Sequence, residues 1–257
     1  MIQPLYSIAG VLVGLLVGMT GVGGGSLMTP ILVLVFGFHP ATAVGTDLLY
    51  ASATKVAGTG VHGWRGTVDW RVVRRLATGS LPATLLTLAG LSAAKMRAED
   101  IGAVITDVLG AALILTGIAT LFRKWIVERL SGRFGSYDDR SISWLTIALG
   151  AILGALVTLT SVGAGALGMT ALLVLYPRMP VARLVGSDIA HAVPLTLIAG
   201  LGHMAMGSVD LWLLLSLLIG SIPGIIVGSL IATRLPDRAL TPILAVTLAL
   251  VGIKLLA

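Results

Sequence analysis

Eight continuous apolar runs dominate the sequence, and each is close to the roughly 20 residues that cross a bilayer as a helix. Only 11% of the residues are charged, whereas soluble domains carry roughly 25%. The runs are continuous rather than alternating, which favours helices over a membrane β-barrel. We therefore predict an all-α integral membrane protein, with runs at 5–20, 43–62, 72–91, 101–122, 141–160, 183–206, 209–231 and 239–257.

Two shorter apolar runs, 27–38 and 166–177, each follow a glycine-rich motif and reveal an internal repeat. The motif GVGGGSLMTPILVLV recurs about 140 positions later as SVGAGALGMTALLVL. Further pairs follow in the same order: VGTDLL with VGSDIA, HGWRGTVD with HMAMGSVD, and GSLP with GSIP. The sequence thus divides into an N-terminal membrane repeat, 1–122, a cytoplasmic linker, 123–140, and a C-terminal membrane repeat, 141–257.

The repeats contain five apolar segments each, and an odd number makes the second repeat enter the membrane from the opposite face. Loop charges agree with this orientation. The loops 63–75, 123–140, 177–183 and 232–238 hold 13 of the 17 Lys and Arg residues. Basic residues concentrate in cytoplasmic loops of membrane proteins. We therefore predict two inverted-topology repeats, with both termini outside.

The glycine-rich motifs predict broken or short helices at membrane depth. Irregular backbone is tolerated there only where it is buried in protein or lines a watery cavity. A helix that begins after a glycine-rich turn presents unpaired N–H groups and a positive dipole end to an anion. Inverted repeats with broken helices are typical of secondary transporters, whose repeats rock about a midplane site. The alternative is that these glycines serve close helix packing.

A small anion is therefore expected near the midplane, between the helix N-termini of the two repeats. Backbone N–H groups, hydroxyls and one lysine are the candidate ligands. The candidate substrate-binding residues are Gly23, Gly24, Gly25, Ser26, Thr29, Lys55, Ser161, Gly163, Gly165 and Thr170.

Ionisable residues inside apolar runs form a second group of candidates, because a charge in the membrane costs at least ~2.5–3.5 kcal/mol. Asp47 and Asp188 occupy equivalent positions of the repeats, and His191 follows Asp188 by three residues. These three are the candidates for coupling or gating, with either aspartate as a proton carrier and helix capping as the alternative. Lys55 shares a helix face with Asp47, so it either supplies positive charge to the anion or pairs with that carboxylate.

Two histidines, His62 and His203, precede GTVD and GSVD by four residues each. Asp69 and Asp210, which end these motifs, resemble helix N-caps. The histidines are interpreted as structural, with a proton relay as the alternative.

Several stretches together resemble the TauE/SafE family of sulfite exporters: GVGGGSLMTPIL, AVGTDL, GTGVHGWRGTVDW, GSDIAHAVPLTLIAGLGHMAMGSVD and GSIPGIIVGS. The resemblance covers nearly the whole chain. It implies a permease of the bacterial inner membrane for sulfite, sulfonates and related sulfur-containing anions, which would make the outer termini periplasmic. The family often has Ser where Asp47 and Asp188 stand, so the resemblance assigns neither aspartate a role.

Other function classes fit the sequence less well. No G-x-x-x-x-G-K-[ST] motif is present, so we predict secondary, ion-coupled transport with no nucleotide, cofactor or metal and no enzymatic activity. The net charge of +6 belongs to membrane loops rather than to a nucleic-acid site. The expected partners are a small anionic substrate and the lipid bilayer, with a homo-oligomer left open. The alternatives are an anion channel of the same fold, a larger organosulfonate as cargo, and an intramembrane aspartyl protease that uses the two aspartates.

Overall fold

The computed structural model describes residues 3–20, 25–64, 66–94, 98–134, 137–232 and 237–256. In these ranges the chain forms eleven helices and no strand. The helices are α1 (Pro4–Thr20), α2 (Gly25–Leu34), α3 (Pro40–Trp64), α4 (Trp70–Ala93), α5 (Ala98–Leu121), α6 (Arg123–Phe134), α7 (Asp139–Thr160), α8 (Ala166–Leu175), α9 (Val181–Ala205), α10 (Leu211–Ala232) and α11 (Asp237–Leu256).

Four helices of the described part are long and apolar enough to cross a membrane: α4, α5 from Asp100 onward, α7 and α9. Bulky apolar side chains also cover the outer surface, including Leu86 at 73% exposure and Ile152 at 66%. Such a surface is stable in hydrocarbon and unfavourable in water. The predicted all-α membrane class is therefore confirmed.

Helices of the two sequence repeats pack into two mixed units. In one, Val13 of α1, Met28 of α2, Tyr50 of α3 and Leu217 of α10 share a buried cluster. We call α1, α2, α3 and α10 the α3 unit.

The second cluster joins helices from both repeats in the same way. Leu76 of α4, Leu172 of α8 and Leu184 of α9 are buried together, with Leu149 of α7 packed against them. We call α4, α7, α8 and α9 the α9 unit. Each unit therefore contains three helices of one repeat and the fourth helix of the other.

Close backbone approach between helices explains this exchange. A Cβ atom built on Gly79 of α4 would overlap the carbonyl oxygen of Ile147 in α7, and one built on Gly220 of α10 would overlap that of Ser7 in α1. Gly79 and Gly220 are equivalent in the repeats. The same contact between a fourth and a first helix therefore occurs twice, through small residues as is usual in membranes.

The two units meet along α3 and α9, which pack antiparallel. Gly45 lies against His203, Leu49 lies against Gly200, and Gly58 lies against Ile189, so rising numbers in α3 match falling numbers in α9. α5 and α11 also pack antiparallel, since Gly110 faces Gly252 and Gly117 faces Ala245 and Ala249. Equivalent helices of the repeats thus run in opposite directions.

Local signals explain the helix boundaries near this interface. Asp69 caps α4 by accepting hydrogen bonds from the backbone N–H groups of Arg71 and Val72, as predicted. Asp210 accepts one from the N–H of Leu213 at the start of α10. The segment predicted as a linker, 123–140, contains the helix α6.

The predicted break in the second repeat separates α7 from α8. Ser161 adopts a left-handed conformation with φ 58°, and Gly163 follows with φ 114°. α8 then begins at Ala166, and its first N–H groups have no partner within the helix. In the first repeat α2 begins at Gly25, and the predicted ligands Gly23 and Gly24 lie outside the described residues.

Candidate functional site

Two buried carboxylates, Asp47 on α3 and Asp188 on α9, are 0% and 6% exposed. In each, the Oδ1 atom has no hydrogen-bond partner among the described residues. A buried carboxylate oxygen without a partner is costly and is a common mark of a functional group. Both predicted coupling residues are therefore in positions where a proton, a cation or a bound solute would complete their contacts.

The antiparallel register of α3 and α9 separates these carboxylates. Gly58 of α3 faces Ile189 of α9, so Asp188 on α9 lies beside residue 59 of α3. That position is about 12 residues beyond Asp47 on the same helix. At a rise of 1.5 Å per residue the two aspartates are about 18 Å apart along the helices. Two carboxylates share a proton only when they are in contact. Asp47 and Asp188 therefore do not form the dyad that an aspartyl protease requires.

Asp47 receives a hydrogen bond from its own repeat and faces the other repeat. The Thr29 hydroxyl of α2 donates to Asp47 Oδ2 at 2.5 Å. The Ser161 side chain, from the turn after α7, lies beside the same carboxylate, and its hydroxyl has no other partner among the described residues. Three predicted site residues from both repeats therefore meet at this point.

Asp188 lies against Gly168 of α8, a glycine of the second glycine-rich motif. A Cβ built on Gly168 would be 3.0 Å from Asp188 Oδ1, so the absence of a side chain at Gly168 leaves room for the carboxylate. The segment between Ser161 and Gly168 thus extends from Asp47 to Asp188. The N-terminus of α8 lies within this segment, between the two carboxylates.

Lys55 is half-buried on α3 and acts electrostatically on both aspartates, more strongly on Asp188. The ion pairs of the described residues include neither Lys55 nor these aspartates. Arg123, at the start of α6, is a second cation that acts on Asp188. Lys55 therefore lies within electrostatic range of both carboxylates.

His191 is buried one turn after Asp188, and its Nε2 shares a hydrogen bond of 2.8 Å with the Ser80 hydroxyl of α4. The equivalent pair in the other unit is Tyr50 of α3 and Ser221 of α10, which lie side by side. Sequence reasoning missed Tyr50, Ser80 and Ser221. The signal lies in the matching GSLP and GSIP motifs, which place Ser80 and Ser221 at equivalent positions of the two repeats.

The residues preceding the aspartates connect helices within each unit. The Thr46 hydroxyl accepts a hydrogen bond of 3.1 Å from the N–H of Asp210, and the Ser187 hydroxyl accepts one of 2.8 Å from the N–H of Asp69. These hydrogen bonds join α3 to the N-terminus of α10 and α9 to the N-terminus of α4, in each case next to the buried aspartate.

The remaining predicted ligands are less closely connected to the carboxylates. Gly25 and Ser26 are the first residues of α2, and Gly163 and Gly165 belong to the turn before α8. The Thr170 hydroxyl donates to the carbonyl oxygen of Ala166 within α8. That side chain lines a groove between α6, α7 and α8, and no described contact joins it to Asp47 or Asp188.

The two histidines near the helix ends have structural partners. His62 Nδ1 shares a hydrogen bond of 2.8 Å with the Thr67 hydroxyl. His203 Nε2 donates to the carbonyl oxygen of Thr158 at 2.9 Å, which requires a ring protonated at Nε2. His203 also lines a cavity of about 440 Å³ at the start of α3, together with His39 and Ser208.

Comparison with known proteins agrees with the sequence resemblance. The profile of the family described as "Sulfite exporter TauE/SafE" matches residues 6–255. The chain is 38% identical to the probable membrane transporter protein YjnA of Bacillus subtilis, over 96% of this chain and 97% of that protein. It is 30% identical to a probable membrane transporter protein of Xylella fastidiosa, over 88% and 83%. No solved structure matches the chain. The chain therefore belongs to the TauE/SafE sulfite exporter family.

Proposed function

We propose that this multi-pass membrane transporter is a secondary, ion-coupled carrier of small sulfur-containing anions, with sulfite or a small sulfonate as cargo. The observation that carries the proposal is the course of the segment 161–168. It touches Asp47 at one end and Asp188 at the other, and it includes the N-terminus of α8. The anion binds at this helix end, near the membrane midplane.

The chemistry around the segment suits a compact oxyanion. The N-terminus of α8 offers backbone N–H groups and a positive dipole end. Ser161 adds a hydroxyl that has no other partner in the described part of the chain, and Lys55 adds a positive charge. Sulfite oxygens accept hydrogen bonds from each of these donors. The corresponding end of α2, with Gly25 and Ser26, contributes from the first repeat.

The two carboxylates account for coupling. An ionised Asp47 or Asp188 repels an anion bound nearby, since the water that would screen the pair is excluded. Binding of a proton to either carboxylate removes this repulsion, so anion and proton occupy the protein together. Because Asp47 lies near the start of α3 and Asp188 near the start of α9, each serves as the gate nearest to one membrane face.

Helix directions support the inverted topology. The equivalent helices α3 and α9 are antiparallel, as are α5 and α11, which is what opposite insertion of the two repeats requires. The basic loops then face the cytoplasm of a bacterial inner membrane, and both termini are periplasmic.

The test is sulfite uptake into proteoliposomes under an imposed pH gradient. Wild-type protein, Asp47→Asn and Asp188→Asn are compared with Asp100→Asn, which alters an exposed aspartate at the start of α5. We expect saturable, gradient-driven uptake in the wild type and in Asp100→Asn. We expect its loss in the two site variants.

Three results would contradict parts of the proposal. Unsaturable uptake would identify a channel. Full gradient-driven uptake in both site variants would remove the aspartates from coupling. Absence of sulfite uptake in folded wild-type protein, combined with uptake of a larger sulfonate, would reject sulfite as cargo.

A further inference from the structure

A cavity of about 420 Å³ opens between the end of α6, the start of α7 and the loop that joins α8 to α9. Arg178 and Arg183 line it, and both are exposed. The ion pairs of the described residues include neither arginine, whereas Arg75 nearby is paired with Asp139 at 2.5 Å. The cavity therefore has two positive charges available for an anionic ligand.

An apolar groove of about 430 Å³ continues from this cavity along the helices. Phe134 and Leu175 line both spaces. The groove is otherwise walled by aliphatic side chains such as Leu149 and Ile152 of α7. Thr170 is the one polar residue among its described lining residues, and its hydroxyl is already bonded within α8. The groove thus suits a hydrocarbon chain and no polar ligand.

The position of the cavity agrees with the headgroup level of a bilayer. The cavity lies where α7 and α9 begin and α8 ends, while the groove follows α7 and α8 toward the membrane interior. Trp70, Trp125 and Trp144 are 58%, 64% and 64% exposed near the starts of α4, α6 and α7. Exposed tryptophans collect at the membrane–water interface.

We propose that the cavity and the groove together bind one anionic phospholipid. Its phosphate contacts Arg178 and Arg183, and one acyl chain occupies the groove between α6, α7 and α8. Guanidinium groups bind phosphate through paired, charge-assisted hydrogen bonds, and basic pockets between membrane helices bind anionic headgroups. A free phosphate would use the cavity alone, whereas the continuous apolar groove favours a lipid.

Native mass spectrometry of the purified full chain tests this assignment. Phosphatidylglycerol and phosphatidylcholine with identical acyl chains are added to the wild type, to the double variant Arg178→Gln/Arg183→Gln, and to Arg71→Gln/Arg140→Gln. The last removes two exposed arginines outside the cavity. We expect the wild type and this control to retain phosphatidylglycerol preferentially, and the cavity variant to bind it about tenfold more weakly or worse.

A second comparison tests the groove and remains valid if the arginine variant does not fold. Ala148 lines the groove and is exposed, so Ala148→Trp fills it. Ala89→Trp, on the exposed face of α4, is the control. We expect only Ala148→Trp to weaken phosphatidylglycerol binding, and millimolar glycerol 3-phosphate to leave the bound lipid in place.

Either of two results would overturn the proposal. One is an unchanged lipid preference in folded Arg178→Gln/Arg183→Gln. The other is displacement of the lipid by glycerol 3-phosphate together with normal binding in Ala148→Trp, which would identify the cavity as a site for a free organophosphate.

Discussion

Substitution of Gly79 by alanine is expected to destabilise the contact between α4 and α7. The added Cβ would overlap the carbonyl oxygen of Ile147 and lie 2.8 Å from the backbone nitrogen of Ala151. Both neighbours are backbone atoms, so no side-chain rotation relieves the contact, and the helices must separate by about 1 Å. Overpacking of this kind costs about 1–3 kcal/mol. With about 2–4 °C per kcal/mol for a chain of this size, the melting temperature should fall by roughly 2–12 °C.

Gly90 provides a matched control on the same helix. A Cβ built there meets nothing within 4 Å, so Gly90→Ala gains only the helix propensity of alanine, about 0.5–1 kcal/mol. Thermal unfolding in one detergent, followed by intrinsic tryptophan fluorescence, compares the two. We expect Gly79→Ala to melt below the wild type and Gly90→Ala to melt at or slightly above it.

The internal repeat provides a second test of the Gly79→Ala prediction, at the equivalent glycine Gly220. A Cβ on Gly220 would overlap the carbonyl oxygen of Ser7 and lie 2.9 Å from the nitrogen of Val11, which reproduces the Gly79 contact in the other repeat. Gly220→Ala should therefore lower the melting temperature by a similar amount. If Gly79→Ala and Gly220→Ala both melt like Gly90→Ala, the helix pairing described above is refuted.

Three further predictions concern the site. Thr29→Val removes the hydrogen bond to Asp47, worth about 1.5–3 kcal/mol for a charged acceptor, so we expect proteoliposome flux to fall about tenfold or more while Thr29→Ser keeps most of it. Gly168→Ala places a Cβ 3.0 Å from Asp188 Oδ1, so we expect a fall in flux with little change in melting temperature, because a carboxylate moves more easily than a backbone. Tyr50→Phe removes a buried hydroxyl that has no hydrogen-bond partner among the described residues, so the melting temperature should stay level or rise; a fall of several degrees would show that the neighbouring Ser221 side chain bonds this hydroxyl in the folded protein.

Local patterns in the sequence predicted the parts of the fold that depend on neighbouring residues. The break after Thr160, the cap formed by Asp69 and the apolar runs all follow from residue types within one or two turns. The repeat offset also predicted that Asp47 and Asp188 occupy equivalent positions. Thr29 and Ser161 are candidate ligands because each lies in a glycine-rich motif, and in the structure both side chains lie beside Asp47.

Contacts between distant helices were not predictable in the same way. In lipid, apolar runs resemble one another, and the choice of partner depends on where small residues allow backbones to approach. The sequence therefore contains no clear pattern that predicts the packing of α4 and α10 against helices of the other repeat. Spacing within α3 places Lys55 on the same helix face as Asp47, whereas only the antiparallel course of α9 shows that Lys55 is also within electrostatic range of Asp188.

Because α10 packs in the α3 unit and α4 packs in the α9 unit, these two units are the parts of the protein that can move past each other. The hydrogen bond that the N–H of Asp210 donates to Thr46 stays inside the α3 unit, and the one that the N–H of Asp69 donates to Ser187 stays inside the α9 unit. Between α3 and α9, the described hydrogen bond is a long one, from the Ser52 hydroxyl to the carbonyl oxygen of Val193 at 3.5 Å, and the other contacts are made largely by glycine and apolar side chains. Sliding at this interface therefore breaks few polar contacts. It also moves Asp47 relative to Ser161, because these residues belong to different units, whereas Asp188 and Gly168 stay together in one. For the proposed carrier we therefore infer that the two mixed units, rather than the two sequence repeats, rock against each other and expose the segment 161–168 to each side of the membrane in turn.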